Sequence, residues 1–284
     1  MTRLAFVFLL LAGHVAAAPL VPRGPVELPN TERVDLESPV NGVTYRLLVS
    51  VPEGFEGSEA RYPVVYLLDA DYSFAIARNV VEHHVQRDRM PEMIVVAIGY
   101  AGDVTRASYR LNRSRDYTPT PTTGQSYDEK TDPVTGGASA FLETLVDHIV
   151  PAIEERYRGS GERILVGHSF GGLFSVWATL ERPDVFPTIL TVSPSLWYDD
   201  QLVLERIRRA TPERLEGRRV FGMVGSREGN STRRMVPDLR ELGVLLEPVL
   251  GEDVRIDVAD GETHDSVFPR AVSTGLRWLV SRRR

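Results

Sequence analysis

Short apolar runs alternate along the chain with stretches in which apolar residues recur every three or four positions. Runs of this length are typical of buried strands, and the wider spacing is typical of amphipathic helices. The pattern predicts strands at 33–36, 43–51, 63–68, 93–98, 164–166, 188–192, 220–224 and 254–258, and helices at 75–85, 141–153, 173–180, 202–209, 235–246 and 268–279. Because alternating strands and helices form parallel pairs joined by helical crossovers, we expect a mostly parallel α/β sheet covered on both faces.

Three places depart from this alternation. The first two strands flank Pro39–Gly42, whose Asn-Gly pair favours a tight turn, so they are predicted to form an antiparallel edge. Ala101–Gly137 is polar and has no convincing period, which predicts a long functional loop forming a wall over the active site. Pro151 is expected to kink or split the helix that follows that loop.

The amino-terminal residues have the pattern of an export signal. One basic residue precedes an apolar run that is short for a membrane span and ends in small residues. We interpret 1–18 as a signal peptide cleaved after Ala17, with Ala16 and Ala18 as alternative positions and an uncleaved anchor as the competing interpretation. Proline-rich 19–30 is predicted to be a flexible tether, and 31–284 a single domain.

Composition narrows the possible functions. The 284 residues are 42% hydrophobic and carry a formal net charge of −6, so the chain can bury a sizeable core but has no basic surface for nucleic acid. Cysteine is absent, which excludes disulfides and a lipid-bearing terminal cysteine. With the signal peptide, these features predict a periplasmic or secreted protein without a stable membrane anchor after cleavage.

The strand at 164–166 passes directly into a helix through Gly167-His168-Ser169-Phe170-Gly171. A serine on such a strained turn presents its hydroxyl to solvent, and glycine on either side lets strand and helix approach closely. The competing interpretation is a purely structural glycine-rich turn, since the five-residue pattern alone is weak. Its position between a strand and a helix favours Ser169 as a nucleophile.

A serine hydroxyl needs a base, and His264 is the favoured one among six histidines. It follows the last predicted strand, and loops after the carboxyl ends of parallel strands meet at one edge of the sheet. The alternatives are a surface role for His264 and a base role for His168. His83, His84 and His148 lie on predicted helices and are interpreted as solvated or packed, while His14 lies in the signal peptide.

The base in turn needs an acid that orients it, and we expect this acid to be Glu228, which follows the strand at 220–224. Its competitors are Asp199, Asp200, Glu262 and Asp265, and a site without a protein acid also stays open. For the oxyanion hole we expect the backbone N–H of Phe170 and that of Asp71, with Ala70 as the alternative to Asp71. No cluster of ligand-type residues implies a metal or an organic cofactor.

The motifs of the chain resemble those of the putative-esterase branch of the α/β-hydrolases, which includes feruloyl esterases, S-formylglutathione hydrolases and mycolyltransferases. Within this branch, the chain most resembles the esterases of ferric siderophores of the enterobactin and salmochelin type. The likeness covers nearly all of the chain after the signal peptide, and its marks are Tyr66–Asp69, Arg115–Pro119, Gly136–Ala138, Gly167–Gly172, Ser193–Trp197 and Gly261–His264. It implies an α/β-hydrolase fold, with Ser169 as nucleophile and His264 as base. Some relatives use a weak acid or none, and Ala70 replaces a common glycine, which is expected to narrow the oxyanion pocket.

These features together predict an exported serine esterase that acts on a small-molecule ester or lactone, with a ferric-siderophore trilactone as the most specific candidate. Arg113, Arg115, Trp197 and Tyr198 are expected to bind an anionic aromatic substrate by charge and stacking. The alternative is that these side chains only pack. Competing functions are a carbohydrate or feruloyl ester hydrolase, an acyltransferase, and a non-catalytic siderophore-binding protein.

Overall fold

The structure of the chain is a computed structural model that describes residues 23–87, 89–122, 134–230 and 232–281. The predicted signal peptide lies outside the described residues, as does most of the stretch between 121 and 137. Within the described ranges, no helix has both the length and the apolar character needed to cross a membrane.

One eight-stranded sheet runs through the described chain. Its strands are β1 Thr31–Glu37, β2 Thr44–Ser50, β3 Tyr62–Leu68, β4 Ile94–Tyr100, β5 Gly159–His168, β6 Thr188–Val192, β7 Arg219–Gly225 and β8 Val254–Ala259. Their order in the sheet is β1-β2-β4-β3-β5-β6-β7-β8. The first two strands pair antiparallel, β2 pairs antiparallel with β4, and every other pair is parallel, as expected. The carboxyl ends of β3 to β8 therefore lie at one edge.

Helices cover both faces of this sheet. The helices are α1 Ala70–Val85, α2 Arg106–Tyr117, α3 Ala138–Thr144, α4 Val150–Arg156, α5 Phe170–Glu181, α6 Tyr198–Arg208, α7 Pro212–Leu215, α8 Met235–Leu250 and α9 Val267–Val280. Helices α1 and α9 pack on one face of the sheet and enclose one buried apolar cluster with it. Helices α3 to α8 pack on the other face and enclose a second cluster. Because successive strand residues point to opposite faces, central β3 contributes Val65 and Leu67 to one cluster and Val64 and Tyr66 to the other.

The prediction of an irregular segment at 101–137 is wrong for its first half, where α2 forms. Thr105 caps this helix by accepting a hydrogen bond from the backbone N–H of Ser108 at 3.1 Å. The buried residues of α2 are mostly polar, namely Arg113, Ser114, Asp116 and Tyr117. A search for hydrophobic periodicity misses such a helix because ion pairs, rather than apolar side chains, accompany its burial.

The helical segment that contains Pro151 neither breaks nor splits. A π-helical turn at Leu145–Ile149 joins α3 to α4, and the N–H of Val150 bonds to the carbonyl of Leu145. Pro151 then lies in the first turn of α4, where its missing N–H has little effect. In place of the predicted kink or split, the structure has a widened turn within a continuous helical segment.

Candidate active site

The predicted nucleophile lies at the carboxyl edge of the sheet, on the turn between β5 and α5. Ser169 has φ 61° and ψ −118°, a backbone conformation that is strained for a residue with a side chain. Its N–H donates to the carbonyl of Val192 at 3.0 Å, and its carbonyl accepts from the N–H of Leu173 at 2.9 Å. The turn is thus attached to the next strand and to the helix, as expected for a nucleophile elbow.

Glycine at 167 is required by this turn. A Cβ atom on Gly167 would lie 2.0 Å from the carbonyl oxygen of Gly171, which is a backbone atom that cannot move aside. Strand and helix therefore approach each other more closely than any side chain permits. The sequence-based reason for glycine at this position agrees with the geometry.

Ser169, His264 and Glu228 line one cavity of about 360 Å³ at the carboxyl edge of the sheet. The imidazole Nδ1 of His264 lies 2.7 Å from a carboxylate oxygen of Glu228. Since a carboxylate only accepts, Nδ1 carries the proton and Nε2 is left as the proton acceptor of the ring. The two loops after β7 and β8 thus bring together a histidine and an acid that lie 36 residues apart.

The carboxylate of Glu228 is almost completely buried, with 1% of its side chain exposed. Its second oxygen accepts from the hydroxyl of Ser193 and from the N–H of Gly225, both at 2.6 Å. These donors stabilise the ionised carboxylate and fix its orientation. Ser193 has this contact because it lies directly beyond β6, next to the loop that contains Glu228. It falls within a motif of the resemblance, but no role was predicted for it from the sequence.

The competing acids have other positions. Asp199 accepts from the hydroxyl of Thr120 at 2.5 Å, and Glu262 accepts from that of Ser266 at 2.5 Å. The side chain of Asp200 is exposed, and Asp265 lines the cavity. The ring of His264 instead donates its hydrogen bond to Glu228.

His168 has a different environment from that of a base. Its ring is buried, which lowers its pKa well below 6.5, and the nearby His264 and Arg113 lower it further. Both ring nitrogens are engaged: Nδ1 lies 2.8 Å from the hydroxyl of Tyr72, and Nε2 lies 2.9 Å from the backbone carbonyl of His264. The imidazole is therefore neutral and has no nitrogen available to take a proton from Ser169.

The expected oxyanion donors lie at the starts of two helices. Phe170 is the first residue of α5, and Asp71 lies in the first turn of α1, with its side chain exposed. Ala70 is the first residue of α1. Its methyl group faces Gly99 of β4, because a Cβ atom built on Gly99 would lie only 3.0 Å from it. The expectation that Ala70 narrows the oxyanion pocket is therefore not supported.

The predicted substrate contacts need correction. Arg113 is 5% exposed and forms a bidentate ion pair with Asp69, at 2.6 and 2.9 Å. Arg115 forms a similar pair with the buried Asp116, at 2.7 and 2.9 Å. The hydroxyl of Tyr198 donates to the carbonyl of Thr120 at 2.7 Å, and its ring is 1% exposed. Among the described residues, these three do not line the cavity that contains Ser169, whereas Trp197 does.

Two arginines that sequence reasoning passed over line the cavity instead. Arg227 precedes Glu228 in the loop after β7, and the guanidinium of Arg233 lies 5.3 Å from the ring centre of Trp197. The rule that selected Glu228, namely its position beyond a parallel strand, applied equally to Arg227. The stacking of Arg233 on Trp197 was not predictable because it joins residues 36 positions apart.

A mostly parallel sheet with a serine on a strained turn between strand and helix defines an α/β-hydrolase. The chain belongs to the family described as "Putative esterase", whose model matches residues 38–242, and it is an ester hydrolase. It is 30% identical to the ferri-bacillibactin esterase BesA of Bacillus subtilis over 89% of this chain and 90% of that protein. It is 32% identical to the siderophore enterobactin esterase of Emericella nidulans over 58% of each chain.

Solved structures agree with this assignment. The BES protein from Bacillus cereus superimposes with a TM-score of 0.79 at 28% identity, covering 92% of this chain and 100% of that one. An IroE-like serine hydrolase from Shewanella oneidensis superimposes with a TM-score of 0.73 at 28% identity, covering 88% and 80% respectively. The predicted fold class and family are therefore confirmed.

Proposed function

We propose that this protein is an exported serine esterase that cleaves its substrate through an acyl-enzyme. In the first step, Ser169 Oγ attacks the ester carbonyl carbon, His264 Nε2 takes the hydroxyl proton, and the proton then passes to the departing alcohol oxygen. In the second step, His264 takes a proton from water, the resulting hydroxide attacks the acyl carbon, and Ser169 regains its proton as the acid is released.

The observation that carries this proposal is the hydrogen bond between the buried Glu228 and His264 in the cavity that Ser169 lines. An ionised acid with three donors keeps the proton on Nδ1 and stabilises the imidazolium that forms when Nε2 takes the serine proton. A histidine with a merely structural role has no need of a buried negative charge, which is costly unless it is fully hydrogen-bonded.

Backbone N–H groups of Phe170 and Asp71 are the proposed donors to the oxyanion, with Ala70 as the alternative to Asp71. Both donors lie in first turns of helices, where the helix dipole favours negative charge. Each such donor contributes about 3 kcal/mol to stabilising the transition state.

For the substrate we propose a ferric-siderophore trilactone. Such a complex is anionic and aromatic. Arg227 and Arg233 line the cavity, and the guanidinium group of Arg233 lies against the indole of Trp197. Two relatives, a ferri-bacillibactin esterase and a siderophore enterobactin esterase, act on the same class of substrate. The signal pattern at 1–18 supports action in the periplasm or outside the cell, by a single domain over 31–284.

The experiment compares wild-type protein with Ser169→Ala on a ferric enterobactin-type trilactone, with linear products followed by chromatography. We expect the variant to lose about six orders of magnitude in kcat and to resist labelling by a fluorophosphonate, with an unchanged thermal midpoint. Ser195→Ala is the matched control, because Ser195 lines the same cavity, and it should retain labelling. Turnover by Ser169→Ala would overturn the proposed mechanism. If the wild-type protein cleaves p-nitrophenyl esters but not the trilactone, only the proposed substrate is overturned.

A further inference from the structure

The side chain next to the nucleophile in sequence, His168, joins the three parts of the site. We propose that its imidazole is a positioning residue that fixes the backbone of His264, and so the place from which Nε2 of His264 takes the serine proton. This inference rests on the role proposed above for His264.

The hydrogen atoms of the His168 ring can be assigned from its two partners. The carbonyl of His264 only accepts, so the proton lies on Nε2 of His168 and is donated across 2.9 Å. Nδ1 is then an acceptor, and the hydroxyl of Tyr72 donates to it across 2.8 Å. With both nitrogens engaged, the tautomer and the orientation of the ring are fixed together.

The loop that contains His264 needs such a contact. It connects β8 to α9, and the residues on either side of the histidine, Thr263 and Asp265, are exposed. Glu228 fixes the imidazole of His264 through its Nδ1, and His168 fixes the backbone carbonyl group of His264. The two imidazole rings also pack together, with centres 4.5 Å apart and planes tilted by 36°. Side chain and backbone of the base are therefore held at separate points.

The same ring reaches the oxyanion side of the site. Tyr72 lies in α1, whose first turn contains the proposed donor Asp71. The backbone carbonyl of His168 accepts from Arg113 at 3.3 Å, and Arg113 is ion-paired with Asp69, the residue directly before α1. His168 thus connects the strand of the nucleophile, the loop of the base and the helix of the oxyanion donor.

A purely structural role for His168 makes a different prediction. Its ring also packs near Tyr72 and Phe268, with ring centres 5.9 and 5.8 Å away. If packing were its whole contribution, substitutions would change the stability of the fold, and an apolar residue would serve as well as a polar one. If the donated hydrogen bond matters, the replacement must keep a donor at the position of Nε2.

The test therefore compares His168→Gln with His168→Leu on a p-nitrophenyl ester. The amide nitrogen of glutamine reaches the position of Nε2 and should keep kcat within about threefold of wild type, whereas leucine should lower kcat by about 10- to 100-fold with KM unchanged. His84→Leu is the matched control, because His84 bonds to Ser273 of α9 at 3.0 Å and joins α1 to α9 away from the cavity. It should leave kcat unaltered.

Equal activity of the glutamine and leucine variants would overturn the inference, as would a leucine variant with wild-type kcat. If His168→Leu does not fold, Tyr72→Phe decides, because it removes the hydroxyl that fixes the tautomer but keeps the ring. We expect a three- to tenfold loss of kcat in that variant, and an unchanged kcat would overturn the inference. Failure of the proposed function would appear separately, as turnover by Ser169→Ala.

Discussion

Glu228 illustrates how much the environment of a single residue decides. On an exposed loop a carboxylate is usually a solvated charge. Here the side chain is buried, and its two oxygens accept from His264, Ser193 and Gly225. These contacts make the proton-bearing nitrogen of His264 predictable from structure alone.

We predict that Glu228→Gln lowers kcat for a short p-nitrophenyl ester by about 10³- to 10⁴-fold. The carbonyl oxygen of glutamine must accept from Ser193 and Gly225, which turns its NH₂ group towards Nδ1 of His264. The proton then moves to Nε2, so the ring is in the wrong tautomer to take the serine proton.

Glu262→Gln is the control for this variant, since Glu262 lies in the same loop as His264 but accepts from Ser266. Its kcat should stay within about twofold of wild type. A larger loss in Glu262→Gln than in Glu228→Gln would transfer the acid role to Glu262.

Single residues were predictable where local sequence specifies the environment. The position of Ser169 was predictable because its turn is encoded by neighbouring glycines, and that of His264 because it follows a recognisable strand. Arg113 was assigned wrongly because its partner, Asp69, lies 44 residues earlier. An arginine that completes a buried ion pair and one that faces solvent have the same appearance in sequence.

At the scale of elements, the turn from β5 to α5 has the least tolerance for change. We predict that Gly167→Ala destabilises the protein by about 3 kcal/mol or more, because its Cβ atom would overlap the carbonyl of Gly171 and push strand and helix apart. Denaturant unfolding followed by circular dichroism measures this difference.

Gly57→Ala provides the comparison, since a Cβ atom there meets no atom within 4 Å. Its free energy of unfolding should remain within about 0.5 kcal/mol of wild type. Similar stabilities of the two variants would show that the close approach at Gly167 is not required.

Elements with an apolar face were found from periodicity, and elements with a polar buried face were not. Strands β3 to β8 and helices α5, α8 and α9 have the expected spacing of apolar residues. Helix α2 buries Arg113 and Asp116 through ion pairs, so its sequence is similar to that of a solvated loop. Secondary structure that depends on distant charged partners cannot be recognised locally.

At the scale of the whole molecule, the acidic chain has a cavity whose wall combines arginines with the carboxylates of Glu228 and Asp265. The chain carries a formal charge of −6, yet Arg227 and Arg233 line the cavity. We predict that Arg233→Gln lowers kcat/KM for a ferric triscatecholate trilactone about fivefold, since a partly exposed charge contact contributes up to about 1 kcal/mol. Activity on a neutral p-nitrophenyl ester should change less than twofold.

Arg209→Gln makes the same change in net charge at the residue directly after α6, where the side chain is 81% exposed and pairs with Glu205. It should leave both activities unaltered, and added salt should reduce the advantage of the wild type over Arg233→Gln. An equal effect of the two substitutions would show that net charge, rather than the cavity wall, governs binding.

The sequence by itself determined the alternation of strands and helices, the antiparallel first strands, and the serine and histidine at the carboxyl edge of the sheet. Each of these follows from short-range patterning, or from the rule that loops after parallel strands meet at one edge. Only the tertiary structure decided which carboxylate contacts His264, which arginines face the cavity, and what His168 binds. Those contacts join residues far apart in the chain, so their geometry exists only once the sheet has brought the loops together.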